Sequence, residues 1–411
     1  MSLHYGTFYW PTTHQRPIRY PVLDADRRCS VAIVGGGMSG ATCGFALAAA
    51  GIDAVLVEQG SVAAGSTATN TGLLQYANDT MLSEFARTIG EKPAAAFYTA
   101  CRQAAERLHA IAEQLPRDVQ FKRRRSLYYA SSPSDVPALR DEYEQLNRNG
   151  FAAEWWDEDK IAAVFPFRKS GAILSGGDAE LNPYLFVHSL VEEAVRRGLT
   201  VFEHTRMERV ENARSGRGYL VRTSGGTIEA EHVVYAVGYV PEHAGGRWVR
   251  AKLGRSYAIA TDPMPSLADW HERCMLWETA RPYLYARTTV DSRIIAGGLD
   301  EPFRGPVLSD RELRARSMRL LSEVKRLFPG LEPEIRYEWC ATFGESEDGL
   351  PWIGEDPDRP GQHYLLGYGG NGTIYSMLGA EIIRDKLLGV SHPVADIVRP
   401  DRRVVVPRTS G

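Results

Sequence analysis

The sequence predicts an α/β unit built on a parallel sheet, interleaved with an α+β unit built on antiparallel strands. Three observations carry this. In "SVAIVGGGMSGATCGFALAAAGIDAVLVEQ" (30–59) two uninterrupted apolar runs bracket a run of small and apolar residues. A strand-then-helix pattern with glycines at its corner returns in "HYLLGYGGNGTIYSMLGAEIIRDKLLG" (363–389). Between them, "KLGRSYAIATD", "YLYARTT" and "SRIIAGG" read as strands around one long helix, "SDRELRARSMRLLSEVKRLFPG", the mark of a helix laid on antiparallel strands.

Taken in order, "SVAIVGGG" is a buried strand, "MSGATCGFALAAAG" a helix and "IDAVLVEQ" a second buried strand. Neither strand alternates with polar residues, as expected where both faces of a parallel sheet are covered. From Leu82 to Leu115 the pattern is helical, with Phe97, Ala100, Cys101, Ala104, Leu108 and Ile111 on one side. "RRSLYYAS", "SDVPALRDEYEQLNRNG" and "AAEWWDED" read as strand, helix and strand. "NPYLFVHSLVEEAVRRGLTVFEHTRMERVE" returns to helix then strand, with Gly198 at the stop, and "HVVYAVGY" is another buried strand. The expected division is one unit from 1–92, 170–242 and 336–411, and a second from 93–169 and 243–335.

Composition narrows the function. A net charge of −3 with 24% charged residues carries no nucleic-acid footprint, and the basic run Lys122 to Arg125 reads as a solvated edge. The five cysteines are scattered and never spaced C-x-x-C, so neither a disulfide framework nor a metal site is expected. Ser30 to Ile52 is uncharged but holds six glycines, and the first thirty residues lack the apolar block of a secretory signal. A cytoplasmic protein without membrane insertion is expected.

Gly35, Gly37 and Gly40 fit G-x-G-x-x-G at the mouth of the first helix, with Met38 and Ser39 between them. The first glycine permits a tight turn, the second lets backbone approach a pyrophosphate, and the third lets helix and strand pack closely, which is the Rossmann-type arrangement. Glu58, followed by Gln59, closes the second strand where a carboxylate can bind ribose hydroxyls. This motif does not separate NAD from FAD. The second corner, Gly367 to Gly372, brings another helix N-terminus and its amides toward something partly negative, such as the pyrimidine edge of a flavin.

With "GSTATNTGLLQ", "VVYAVGY", "SRIIAGG" and "WCATFGESEDGLPWIG" standing in order between these two corners, the sequence resembles the FAD-dependent oxidoreductases of the D-amino-acid oxidase superfamily, the group of glycine oxidase, sarcosine oxidase and γ-glutamylputrescine oxidase. The resemblance implies a Rossmann-type FAD-binding domain interleaved with an antiparallel-sheet substrate domain, and oxidation of an amine or amino acid by hydride transfer to flavin N5. It places Ser66, Thr67, Asn70, Thr71, Gly72 and Leu73 along the pyrophosphate, ribityl chain and ring. Arg206 or Met207 would offer backbone to adenine, Ala236 and Gly238 would pass close to the dinucleotide, and Gly370, Asn371, Gly372 and Thr373 would meet the ring system.

Where amino-acid-oxidising members carry a carboxylate-binding arginine, this chain has Phe343, so an amine is favoured. Arg281, Arg287 or Arg304 could replace the missing clamp, but each reads first as a surface arginine. Cys340 falls one residue from the flavin-linking cysteine of sarcosine oxidases, on the opposite strand face, so FAD is expected to be non-covalent. No lysine stands in 281–304 to match the oxygen-activating one, which leaves O₂ or another electron acceptor open. Pocket candidates are Tyr283, Tyr285, Phe343, Tyr368 and Asn371, with Tyr257 a further choice. Glu345, Glu347 and Asp348 would attract a cationic substrate or simply form a polar turn. The other readings are a soluble NAD-dependent dehydrogenase, which leaves the second glycine corner unexplained, and a flavin-bearing subunit of a larger complex.

Overall fold

Two sheets organise the chain in a computed structural model that describes residues 3–213, 217–239, 248–249, 251–305, 309–367 and 369–405. The first is centred on the strand Arg27–Val34, which pairs in parallel with Ala54–Val57 on one side and Thr227–Tyr235 on the other. Thr200–Phe202 and Gln362–Leu366 extend it in parallel, Trp352–Glu355 adds an antiparallel edge, and a hairpin of Met207–Asn212 and Tyr219–Thr223 pairs beside Thr227–Tyr235. Val31, Ala32 and Ile33 are fully buried, which is why this stretch is apolar without alternation. After Val34 the chain winds first to one side of the sheet and later to the other, and that reversal opens a crevice at the strand's C-terminal end.

The helix Met38–Ala49 packs against Pro183–Arg196 and against Gly372–Leu387. The hydroxyls of Ser39 and Ser376 lie 2.8 Å apart, and the Thr42 hydroxyl donates to the Ser376 carbonyl at 3.1 Å. The two glycine corners therefore share one crevice. The helical stretch from Leu82 is broken at Gly90 into Leu82–Ile89 and Glu91–Gln114.

The second sheet runs in the order His4–Gly6, Ile335–Glu345, Lys252–Thr261, Ile294–Pro302, Leu284–Thr288, Met275–Glu278, Lys122–Tyr129, Ala172–Glu180 and Leu73–Leu74, with Ala153–Trp156 added beside Ala172–Glu180. All its pairings are antiparallel except Met275–Glu278 with Lys122–Tyr129. Ala172–Glu180 and Ile335–Glu345, which the sequence grouped with the first unit, hydrogen-bond here. The helix Asp310–Leu327 covers one face through Leu313, Leu320, Leu321, Val324 and Leu327. Ser309 and Glu312 cap it reciprocally. The opposite face looks toward the first sheet and forms a wall of the site.

Asp178 sits on Ala172–Glu180 with no exposed surface, accepting from the Tyr76 amide at 3.1 Å while its Oδ2 has no partner among the described residues. Burial pushes its carboxyl up to about 7. Its proton is lost first in the unfolded chain, so its contribution falls as pH rises from about 4 to about 7. Asp178→Asn is expected to remove that slope and, at pH 8, to raise unfolding stability by on the order of 1 kcal/mol. Urea titrations at pH 5 and 8 check this, and a variant less stable than the parent at pH 8 contradicts it.

Candidate active site

The crevice of the first sheet narrows into a cleft of about 230 Å³. Gly35, Gly37, Met38 and Ser39 form its floor, where the helix Met38–Ala49 begins on Gly37 without a side-chain cap. The second helix, Gly372–Leu387, also lacks a side-chain cap and presents Gly372, Thr373 and Ser376 to the same space. Two uncapped helix N-termini converging on one cleft make a cradle for an extended anion. Ser66, Thr67 and Asn70 line it from the turn after the second strand, and Thr67 Oγ1 accepts from the Met38 amide at 3.0 Å.

Glu58 and Gln59 mark the far end of the cleft, with Arg206 and Met207 opposite. The Glu58 carboxylate accepts from the Gly36 and Gly60 amides, each at 2.7 Å. Burial raises its pKa, and these two amides work against that rise. Ala236 and Gly238 line the side of the cleft. Gly40 lies behind Gly35 rather than on the surface of the cleft, as its packing role requires.

The cleft also has lining residues absent from the sequence reading: Leu3, His4, Thr205 and Tyr239. Leu3 and His4 arrive because His4–Gly6 pairs along the edge strand Ile335–Glu345 and so crosses between the sheets. His4 Nε2 lies 3.3 Å from Ser66 Oγ, and burial pushes its imidazole down to about 4. No local pattern announces this placement.

At Ser66, Asn70 and Tyr239 the cleft joins a second cavity of about 160 Å³. Thr71, Leu73, Gly370 and Asn371 line it, and the Asn371 side-chain amide donates to the Gln75 and Ala77 carbonyls at 2.8 Å each. Gly72 lies beneath, against Leu181 and Arg287. The opposing wall is one face of the second sheet. Trp277, Tyr285, Gly297 and Ala258 are cross-strand partners in a single row, and the Tyr285 ring folds over Gly297, where a Cβ would stand 2.4 Å from the phenol oxygen. Phe343 lies over Gly254 in the same way. Trp277 stacks on Tyr128 with centroids 3.7 Å apart.

Tyr283, Tyr285 and Phe343 line this cavity together, and Tyr368 lies outside the described residues. Tyr257 does not meet them: it points to the helix-covered face and donates to Glu301 at 2.9 Å, because strand parity places Ser256 rather than Tyr257 inward. Arg287 is no surface residue. It is 2% exposed and donates to the carbonyls of Thr71 at 2.7 Å, Leu181 at 3.0 Å and Thr288 at 3.1 Å. Asp348 is also withdrawn from any substrate, since Arg402 holds both of its oxygens at 2.8 Å.

Three carboxylates line the cavity: Asp79, Asp300 and Glu345. Asp79 accepts from Tyr283 at 3.1 Å and from the Gly370 amide at 2.8 Å. Asp300 owes its position to a bulge, where Leu299 and Asp300 together oppose Ser256 and Leu299 takes a left-handed φ of 54°. Regular alternation after Gly297 would have turned Leu299 inward. Burial pushes the Asp300 carboxyl up to about 6. Among the described lining residues there is no arginine, lysine or histidine.

A cradle for a long anion, ending in an aromatic, carboxylate-lined cavity, suits a dinucleotide whose reactive ring lies at the junction. A family model described as FAD dependent oxidoreductase, DAO, matches residues 30–386. The chain belongs to this DAO family. Its cofactor is FAD, and among the described lining residues of the cleft and the cavity there is no cysteine. Cys340 packs on the helix-covered face of its sheet, opposite the cavity. Among DAO relatives, glycine oxidase of Geobacillus kaustophilus is 26% identical over 383 residues, covering 87% of this chain and 92% of its own. Gamma-glutamylputrescine oxidoreductase of Escherichia coli is 22% identical over 406 residues, covering 95% and 90%. The crystal structure of the Geobacillus glycine oxidase superposes with a TM-score of 0.78 at 22% identity, covering 92% of this chain and all of that one. This DAO protein is therefore an FAD-dependent oxidoreductase whose relatives act on amines and amino acids.

Proposed function

We propose that the chain oxidises a C–N bond of a small amine rather than of a simple α-amino acid. One observation carries the preference: the cavity's described lining holds three carboxylates and no cationic side chain, and Phe343 lines it at the position to which the resemblance assigns a carboxylate-binding arginine. An α-carboxylate would enter unpaired beside like charges, whereas an amine suits the same surroundings.

In this reading Glu58 would accept from the ribose hydroxyls, backbone at Arg206 or Met207 would meet adenine, and the helix starting at Met38 would face the pyrophosphate. Thr71, Leu73, Asn371 and Thr373 would border the ring. FAD, when bound, would supply a two-electron acceptor for the hydride that leaves the carbon bearing the amine. The protein's share is orientation and exclusion of water. Tyr283, Tyr285 and Phe343 form an apolar wall that holds the neutral amine, and Asp79 takes up positive charge near the mouth. The released imine hydrolyses in water, and O₂ or another acceptor recovers the electrons. A cytoplasmic location belongs to the same proposal; among the described residues no helix is long and apolar enough to cross a membrane.

The test is the visible spectrum of the FAD-loaded protein without oxygen. Primary and secondary amines are expected to bleach the flavin band, while glycine and alanine at equal concentration leave it unchanged. Bleaching by the amino acids and not by the amines would overturn the preference.

A further inference from the structure

The reacting amine does not account for all the polar groups of the cavity. Asp300 Oδ1 is buried and has no hydrogen-bond partner among the described residues. Across the same wall the indole Nε1 of Trp277, a side chain with 6% exposure, is likewise without one. A buried acceptor and a buried donor left open cost free energy unless an occupant meets them. The backbone also spends strain here, since the bulge that turns Asp300 inward holds Leu299 in the left-handed region at φ 54°.

The cavity continues outward through Asp79, Glu345 and Gly369 into a wider opening of about 560 Å³. Glu84, Asp135 and Glu347 add carboxylates to that opening. Its one arginine among the described lining residues, Arg281, is occupied: it donates to the carbonyls of Glu278, Thr279, Ala280 and Asp79 at 3.0–3.4 Å and stacks over the Tyr283 ring. The approach is therefore acidic from mouth to end, which concentrates cations. Behind it, the cavity is lined by the aromatic side chains of Trp277, Tyr283 and Tyr285.

We propose that the cavity takes a diamine-type substrate, whose second, non-reacting cationic nitrogen is bound by the Asp300 carboxylate. The Trp277 N–H meets a hydrogen-bond acceptor carried on the same arm. This rests on the amine reading above and narrows it from amines in general to those with two basic nitrogens. Asp79 and Glu345 lie around the path of the second nitrogen, and Asp300 is the carboxylate with an open oxygen at its end.

The experiment compares two probes of similar length, N-methyl-1,4-diaminobutane and N-methylpentylamine, by anaerobic flavin reduction in the FAD-loaded protein. The diamine is expected to reduce the flavin with a second-order rate constant at least 30-fold above that of the monoamine, a ratio that falls as salt is raised because the charges of the approach are screened. Asp300→Asn is expected to cut that ratio at least tenfold while the spectrum of bound flavin stays that of the parent. Equal use of both probes by the parent, which needs no variant, overturns the proposal and leaves the amine reading standing. A preference unchanged in Asp300→Asn overturns the role of Asp300. Failure of both probes to reduce the flavin sinks the amine reading itself.

Discussion

Replacing Gly40 with alanine is expected to give a chain that does not retain FAD. A Cβ on Gly40 would stand 1.8 Å from the Gly35 carbonyl oxygen. Gly35 cannot retreat, because it holds φ at +109° and its own Cβ position lies 2.4 Å from the Ala236 carbonyl oxygen. Strand Arg27–Val34, strand Thr227–Tyr235 and the helix Met38–Ala49 are thus in backbone contact at the point where the cleft begins. One methyl group must push the helix N-terminus out of line with the cofactor, and the expected loss of FAD affinity is at least 100-fold. Gly44→Ala, one turn further along the same helix, is the control: its nearest contact is the end of the Leu199 side chain at 2.8 Å, which can swing aside. The ratio of flavin to protein absorbance after gel filtration checks both, and normal flavin content in Gly40→Ala would refute the argument.

Arg287→Met should lower unfolding stability by about 3–5 kcal/mol, the usual cost of breaking a buried charge pair by removing one partner. Burial lowers the Arg287 pKa, and Glu180, at 3.5 Å and equally buried, opposes that. Without Arg287, Glu180 keeps only Arg124 at 3.0 Å, and the carbonyls of Thr71 and Leu181 lose a donor in a site closed to water. Arg287→Lys keeps the charge but not the planar fork that serves several carbonyls at once, so it should fall between the parent and Arg287→Met. Urea midpoints measured with FAD in excess separate this from cofactor loss. A cost below 1 kcal/mol for Arg287→Met would show that the network is dispensable.

The parallel unit was legible because its signals are local: apolar runs, small residues between them, and glycines at both corners. The placement of Phe343 was legible for the same reason, since alternation along one strand fixes which residues share a face. Arg287 was misread because "YLYARTT" says nothing of the Thr71 and Leu181 carbonyls that approach from 216 and 106 residues away. Asp300 escaped because a single left-handed residue reverses the parity of its strand, and "GGLDEP" gives no sign of where the extra residue lies. Tyr257 failed on parity from the other direction. His4 and Trp277 became visible only with the pairing of strands, which local sequence does not specify.

The position of the second glycine corner has a consequence for biosynthesis. The helix beginning at Gly372 completes a cleft whose other half begins at Gly35, and a ribosome adds well over 300 residues between making the one and the other. A nascent chain can fold the first strand–helix–strand unit early, but it has no finished berth for FAD until the helix beginning at Gly372 has emerged. Cofactor capture then waits for both corners to be made, and cells short of riboflavin should accumulate a translated but unfilled protein rather than stalled chains.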